Sequence, residues 1–183
     1  MLLGVSAGTV AQLDPGTLVD APPPLRAGAG FLLVLAAGAV LLYRYEAFVD
    51  RATDACLEKP LQAVVYGVMA HGGVVFVGGY LLSQIGRLGA AGALVAQAAF
   101  LVVALGWLAL GGLGFTVVGS SITDAAGSRQ PWTGLVIGAG FAAVAAVVEP
   151  VVAGVALWVV VASVGVGGAT RRWFHSDATS RRT

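Results

Sequence analysis

The chain has 183 residues, of which 58% are apolar and only 10% charged, with a mean hydropathy of +0.90 and a formal net charge of +1. A soluble domain carries about 25% charged residues, so this composition excludes a surface facing water on all sides and points to lipid as the solvent. The Lys and Arg residues are scattered apart from a small C-terminal cluster, which argues against a nucleic-acid partner. The single cysteine, Cys56, excludes intramolecular disulfides and cysteine-based metal clusters.

Met1 to Leu25 lacks the basic start of a signal peptide and is broken by Asp14 and Pro15. It is expected to be an exposed, Pro-rich lead-in, residues 1–26, on the outer side. A bilayer core about 30 Å thick needs roughly 20 apolar residues as helix, and about 17 at the least. The first such run is 27–43, bounded by Arg26 and Arg44. After it, Tyr45, Phe48, Val49, Ala52 and Cys56 follow helical spacing, and Arg51 can pair with Asp54. A short amphipathic helix near the membrane surface is expected there. Pro60 suits a helix start and opens the second span, 61–85. Gly86, Arg87 and Gly89 make a turn before the third span, 89–118. The segment SSITDAAGSRQPWTG reads as a loop, with Trp132 at an interface.

The last apolar stretch is too long for one crossing. Glu149-Pro150 divides it into spans 134–148 and 150–170, a tight hairpin, followed by a cytoplasmic tail, 173–183. A hairpin that crosses only partly is the alternative. The expected fold is therefore all-α: a polytopic bundle of about five helices over residues 27–172. Five crossings put Arg44, Arg51, Lys59, Arg129, Arg171, Arg172, Arg181 and Arg182 on one side, and only Arg26 and Arg87 on the other. Cytoplasmic loops carry the excess of Lys and Arg. The expectation is a multi-pass cell-membrane protein with its N-terminus outside and its C-terminus cytoplasmic.

Glycine is abundant, with 27 residues, and small residues four apart let helix backbones approach in lipid. Gly134, Gly138, Ala142 and Ala146 form such a helix-packing ridge. Gly67, Gly72, Gly73, Gly78 and Gly79 thin the second span on several faces. The runs GVGGATRR and GGLGFTVVG follow no strand, so they do not read as phosphate loops. His71 and Glu149 are the intramembrane polar candidates. An ionisable group at membrane depth is a functional hypothesis; the simpler reading of His71 is a hydrogen bond across helices, with Gln84 and Gln97 as candidate partners. Glu149 is either solvated in its turn or, in a re-entrant hairpin, a proton or cation site. Arg171, Arg172 and Trp173 end the last span as an interfacial anchor. No HExxH, GxSxG or Cys/His pair occurs, so no catalytic residues, metal or cofactors are expected, and the chain does not read as an enzyme.

Three stretches, EKPLQAVVYGVMAHGGVVFVGGYL, LGWLALGGLGFTVVG and PWTGLVIGAGFAAVAAVVEPVVAGVALWVVVASVGVGGATRRW, cover roughly half the chain. They resemble a group of small, Gly-rich, multi-spanning membrane proteins of prokaryotes, particularly halophilic archaea. They are also similar to the membrane region attached to bactofilin-type, polymer-forming proteins. The resemblance implies a Pro-rich turn where this chain has Glu149-Pro150, so Glu149 stands as a departure. It also implies that this is the membrane part without the β-rich polymerising domain. The functional expectation is an integral membrane scaffold or accessory protein that anchors a cytoplasmic or cytoskeletal partner through 44–59 and the tail. Besides the lipid bilayer, a protein partner or a homo-oligomer is expected. The alternative is a small transporter or channel subunit.

Overall fold

The computed structural model describes residues 20–87 and 92–179, with side chains through Arg171 apart from Ala93. Most of the expected lead-in, Gly89 of the expected turn, Arg181 and Arg182 lie outside the described residues. Those residues form five helices and no strand: α1 Pro23–Glu58, α2 Pro60–Gly86, α3 Ala93–Ala125, α4 Pro131–Val147 and α5 Val151–Thr179. Prolines stand in the first turn of α1, α2 and α4, where a missing N–H costs no helical bond. Four helices are long and apolar enough to cross a membrane, and α4 is a shorter apolar helix. At 1.5 Å per residue α4 spans about 25 Å, near the lower limit for a crossing.

The helices run alternately up and down. Gly119 and Phe115 of α3 face Gly134 and Gly138 of α4, and Ala63 and Gly67 of α2 face Gly167 and Ser163 of α5. Helix α3 is the axis of the bundle: every residue from Gly111 to Val117 is buried, because α1, α4 and α5 pack around it. The interior is made of small residues, with Ala139, Ala142 and Ala162 wholly buried, whereas Leu61, Leu94, Val152 and Phe76 are each more than three-quarters exposed. This distribution suits a lipid solvent, in which large apolar side chains gain nothing by turning inward.

The helix ends depart from the expected ones in several places. Helix α1 is too long for one crossing, and it breaks at Tyr45 (φ −141°, ψ 37°); the part before the break is about 33 Å long, a good match to a bilayer core. The part after it does have a buried face, but that face is Val49, Ala52, Thr53, Ala55 and Cys56. Tyr45 and Phe48, expected on it, are exposed. This segment lies against α5: the Cys56 thiol donates to the Val164 carbonyl (3.2 Å), and Gly168 abuts Ala52 and Cys56.

The expected loop from Ser120 is helical as far as Ala125, and α4 begins already at Pro131. The hydroxyls of Ser121 and Thr123 bond back to the carbonyls of Val117 and Ser120, so these polar residues continue the helix. The connection is short, with Gly127 at φ +102°, a conformation glycine adopts without steric cost. Arg129 holds it: its guanidinium meets Asp124 (3.2 and 3.3 Å) and Asp54 of α1 (2.8 Å). Hydrogen bonding to Asp124 first, and to Asp54 next, raises Arg129 above its ordinary pKa. Asp54 therefore pairs across helices with Arg129, a partner that the spacing did not suggest. Finally, α5 does not end near Thr170. It runs on through Arg171, Arg172, Trp173 and His175 to Thr179, so most of the expected tail is helical.

Backbone proximity generates a clear test. A Cβ on Gly138 would overlap the Phe115 carbonyl, whereas one on Gly72 meets nothing within 4 Å. Gly138→Leu is expected to lower stability by about 3 kcal/mol or more, read as loss of the detergent-resistant melting transition, and Gly72→Leu to leave that transition in place.

Candidate functional site

His71 sits on the α2 face that meets α5 and is 2% exposed. Its Nδ1 lies 2.9 Å from the Gly67 carbonyl, one turn back, and 3.2 Å from the Ser163 Oγ on α5. A carbonyl accepts only, so the short contact requires the proton on Nδ1. The other ring nitrogen, Nε2, is buried with no partner. The ring stands edge-on to Trp107 of α3 (centroids 5.2 Å) and to Trp158 of α5 (6.1 Å), and the two indoles are parallel to within 9°. The partners of His71 are thus Gly67, Ser163 and two tryptophans. Neither Gln84 nor Gln97 fills that role, and Gln97 is exposed. The closeness of α2 and α5 explains the choice: Gly67 has no side chain, so the Ser163 backbone lies directly against it.

Glu149 occupies the α4–α5 turn, where its peptide bond to Pro150 is cis. It is neither a merely solvated acid nor an isolated one at depth. Its carboxylate pairs with Arg26 of α1, with the Glu149 side chain 59% exposed and that of Arg26 only 9%. Arg26, expected to bound the lead-in, is a buried part of α1 instead. Its Nε is buried and unpartnered. Arg26 stands at the mouth of an apolar cleft of about 280 Å³ between α1, α4 and α5, whose lining includes Ala146, Trp107 and Trp158. One wall of the His71 environment is therefore also the floor of the Arg26 cleft.

The ridge on α4 meets two helices. Gly134 lies against Gly119 and Ser120 of α3, Gly138 against Phe115 of α3, while Ala142 and Ala146 meet Gly30 of α1. Arg171 bridges to Glu58 (2.5 Å) and Gln62 (3.5 Å), tying α5 to α1 and α2. Arg172 and Trp173 lie on the continuing helix, and their side chains are not described. GVGGATRR and GGLGFTVVG are helical, their glycines turned toward neighbouring helices. Among the described residues no cluster of three or more His, Cys, Asp or Glu could hold a metal.

Sequence reasoning passed over Arg26, Trp107, Trp158 and Ser163. Arg26 looked like a span boundary, and nothing in the spacing of the others brings them to His71. Comparison with family models, curated proteins and solved structures finds no match.

The packing around His71 predicts unequal costs. His71→Ala removes a buried ring packed edge-on against two stacked indoles and is expected to cost about 2 kcal/mol or more. Ser163→Ala should cost only about 0.6 kcal/mol, the usual worth of a hydrogen bond between membrane helices. Chemical denaturation in detergent, followed by tryptophan fluorescence, measures both.

Proposed function

We propose that this chain is a membrane-embedded scaffold or accessory protein that holds a cytoplasmic partner at the bilayer. The observation that carries this reading is the filling of the bundle interior by direct backbone contact. Gly67 lies on Ser163, Gly114 on Ala162 and Gly165, Gly119 on Gly134, and Gly167 on Ala63. Helices joined this way form a rigid platform with little room between them for a moving substrate.

The partner surface on this reading is the α1 segment after Tyr45. Its inner face is buried on α5, while Glu46 and Arg51 are exposed together with Phe48 and Leu57, and are flanked by exposed Arg44 before the break and Lys59 after the helix. Mixed charges with interspersed apolar groups suit a protein partner. The sequence resemblance to the membrane region of polymer-forming proteins makes a cytoskeletal filament the partner class. The same end of the bundle carries Arg129 and Arg171, and the opposite end carries Arg26. This asymmetry supports a cytoplasmic location for the first end and five crossings with the N-terminus outside. A second reading, a small proton- or cation-coupled carrier, draws on the unpartnered Nε2 of His71, since ionisable groups at depth mark such pathways.

Two measurements test these proposals. Reporter fusions after Asp20 and after Thr183 are expected to lie on opposite sides; both on one side would replace five crossings with a re-entrant hairpin. In liposomes loaded with pH- or ion-sensitive dye, wild type, His71→Gln and Glu149→Gln are all expected to show no flux above empty liposomes. Wild-type flux that His71→Gln abolishes would overturn the scaffold reading in favour of the carrier.

A further inference from the structure

The ion pair at the mouth of the cleft leaves chemistry unused. Arg26 has five N–H donors in a planar fork. One nitrogen serves Glu149, and Nε, in a side chain more than nine-tenths buried, has no acceptor. A buried donor with no partner carries a free-energy penalty that an incoming oxygen would remove. Below it the cleft is apolar, with Leu33 and Val155 on its walls and Trp107 and Trp158 beneath. Its volume of about 280 Å³ is near the lower end for ligand pockets. That suits part of one hydrocarbon chain rather than a compact polar metabolite.

We propose that the cleft is a binding site for one membrane phospholipid, with its phosphate on the Arg26 guanidinium and one acyl chain running down toward Trp107 and Trp158. Position favours a phospholipid over a free fatty acid. Arg26 lies in the first turn of α1, at the end of an apolar span, the level at which lipid phosphates lie. A guanidinium fork also matches a phosphate in a bidentate manner. Glu149 is the competitor. Its carboxylate occupies the guanidinium in the absence of lipid and, being more than half exposed, turns toward water when the phosphate arrives. The two members of the ion pair therefore have opposite effects on binding: Arg26 promotes it and Glu149 opposes it. The site is independent of the scaffold reading, since either a scaffold or a carrier could hold a lipid there.

The test uses full-length protein in a non-ionic detergent, carrying Trp132→Phe and Trp173→Phe so that Trp107 and Trp158 supply the fluorescence. Bromine quenches an indole only in contact. The probe is phosphatidylglycerol with a dibrominated acyl chain, beside the matching diacylglycerol without phosphate and dibrominated stearic acid. Saturable quenching by the phospholipid is expected. Half-saturation should be at least fivefold weaker than wild type in Arg26→Gln, and weaker than wild type by a smaller factor in Arg26→Lys, which keeps the charge but loses the Nε donor. It should be at least twofold tighter in Glu149→Gln. Ala29→Phe, which fills the cleft, should abolish the saturable phase. Melting in detergent checks that each variant is folded, and Arg26→Lys and Glu149→Gln decide the matter if Arg26→Gln is not. Equal quenching in all variants, or by diacylglycerol as well as by phospholipid, would overturn the proposal and leave the cleft as ordinary lipid-facing surface. Saturable quenching by the fatty acid alone would overturn the choice of phospholipid. Because no flux or partner is measured, failure here leaves the scaffold reading untouched.

Discussion

Backbone-to-backbone contact between helices is the constraint on which the rest of this structure depends. At Gly67, Gly114, Gly119, Gly134, Gly138 and Gly167 a single added carbon would run into the backbone of the neighbouring helix. In water such an interior would be weak, because it buries little apolar surface. In lipid the balance is different: exposed Leu, Val and Phe side chains are already in an apolar solvent, and association rests on close packing and interhelical hydrogen bonds. The chain accordingly puts its small residues inside and its large ones outside.

That packing sets where polar groups can sit. With the backbones of α2 and α5 in contact at Gly67, the space beside it admits the His71 ring and brings Ser163 within reach. Three hydroxyls elsewhere are absorbed by their own helices: Thr53, Thr116 and Thr170 each bond to the carbonyl four residues back. Charged groups are pushed to the ends, where Arg129 with Asp54 and Asp124, and Arg171 with Glu58, join helices at one end, and Arg26 with Glu149 at the other. Partly exposed pairs of this kind contribute little to stability, typically under about 1 kcal/mol. Their consequence here is positional, since they define which loops and helix ends share a side.

The small-residue packing opens at the cleft beneath Arg26. It forms where α1, α4 and α5 diverge near the Glu149 turn, and large indoles line it on the inner side. The Trp107–Trp158 pair thus borders both His71, toward the α2–α5 contact, and the cleft. Occupation of the cleft and the environment of His71 share that pair of rings, a physical link between a peripheral lipid site and the only buried histidine among the described residues.

Much of the architecture was legible in the sequence alone. Apolar run lengths set against the thickness of a bilayer identify a helical membrane bundle. Pro60 and Glu149-Pro150 mark helix boundaries, because proline restricts the backbone whatever lies around it. The structure alone decided which faces meet and which side chains pair. Periodicity showed an apolar face after Tyr45 but could not distinguish Phe48, which is exposed, from Val49, which is buried, since in lipid both positions are apolar. The segment from Ser120 to Ala125 read as a loop because its residues are polar, yet local hydroxyl-to-carbonyl bonds and contact with Gly134 keep it helical. The pairs Arg26–Glu149 and His71–Ser163 join residues 123 and 92 positions apart. No local rule connects positions so distant; their meeting follows from the close approach of whole helices, which only the folded bundle determines.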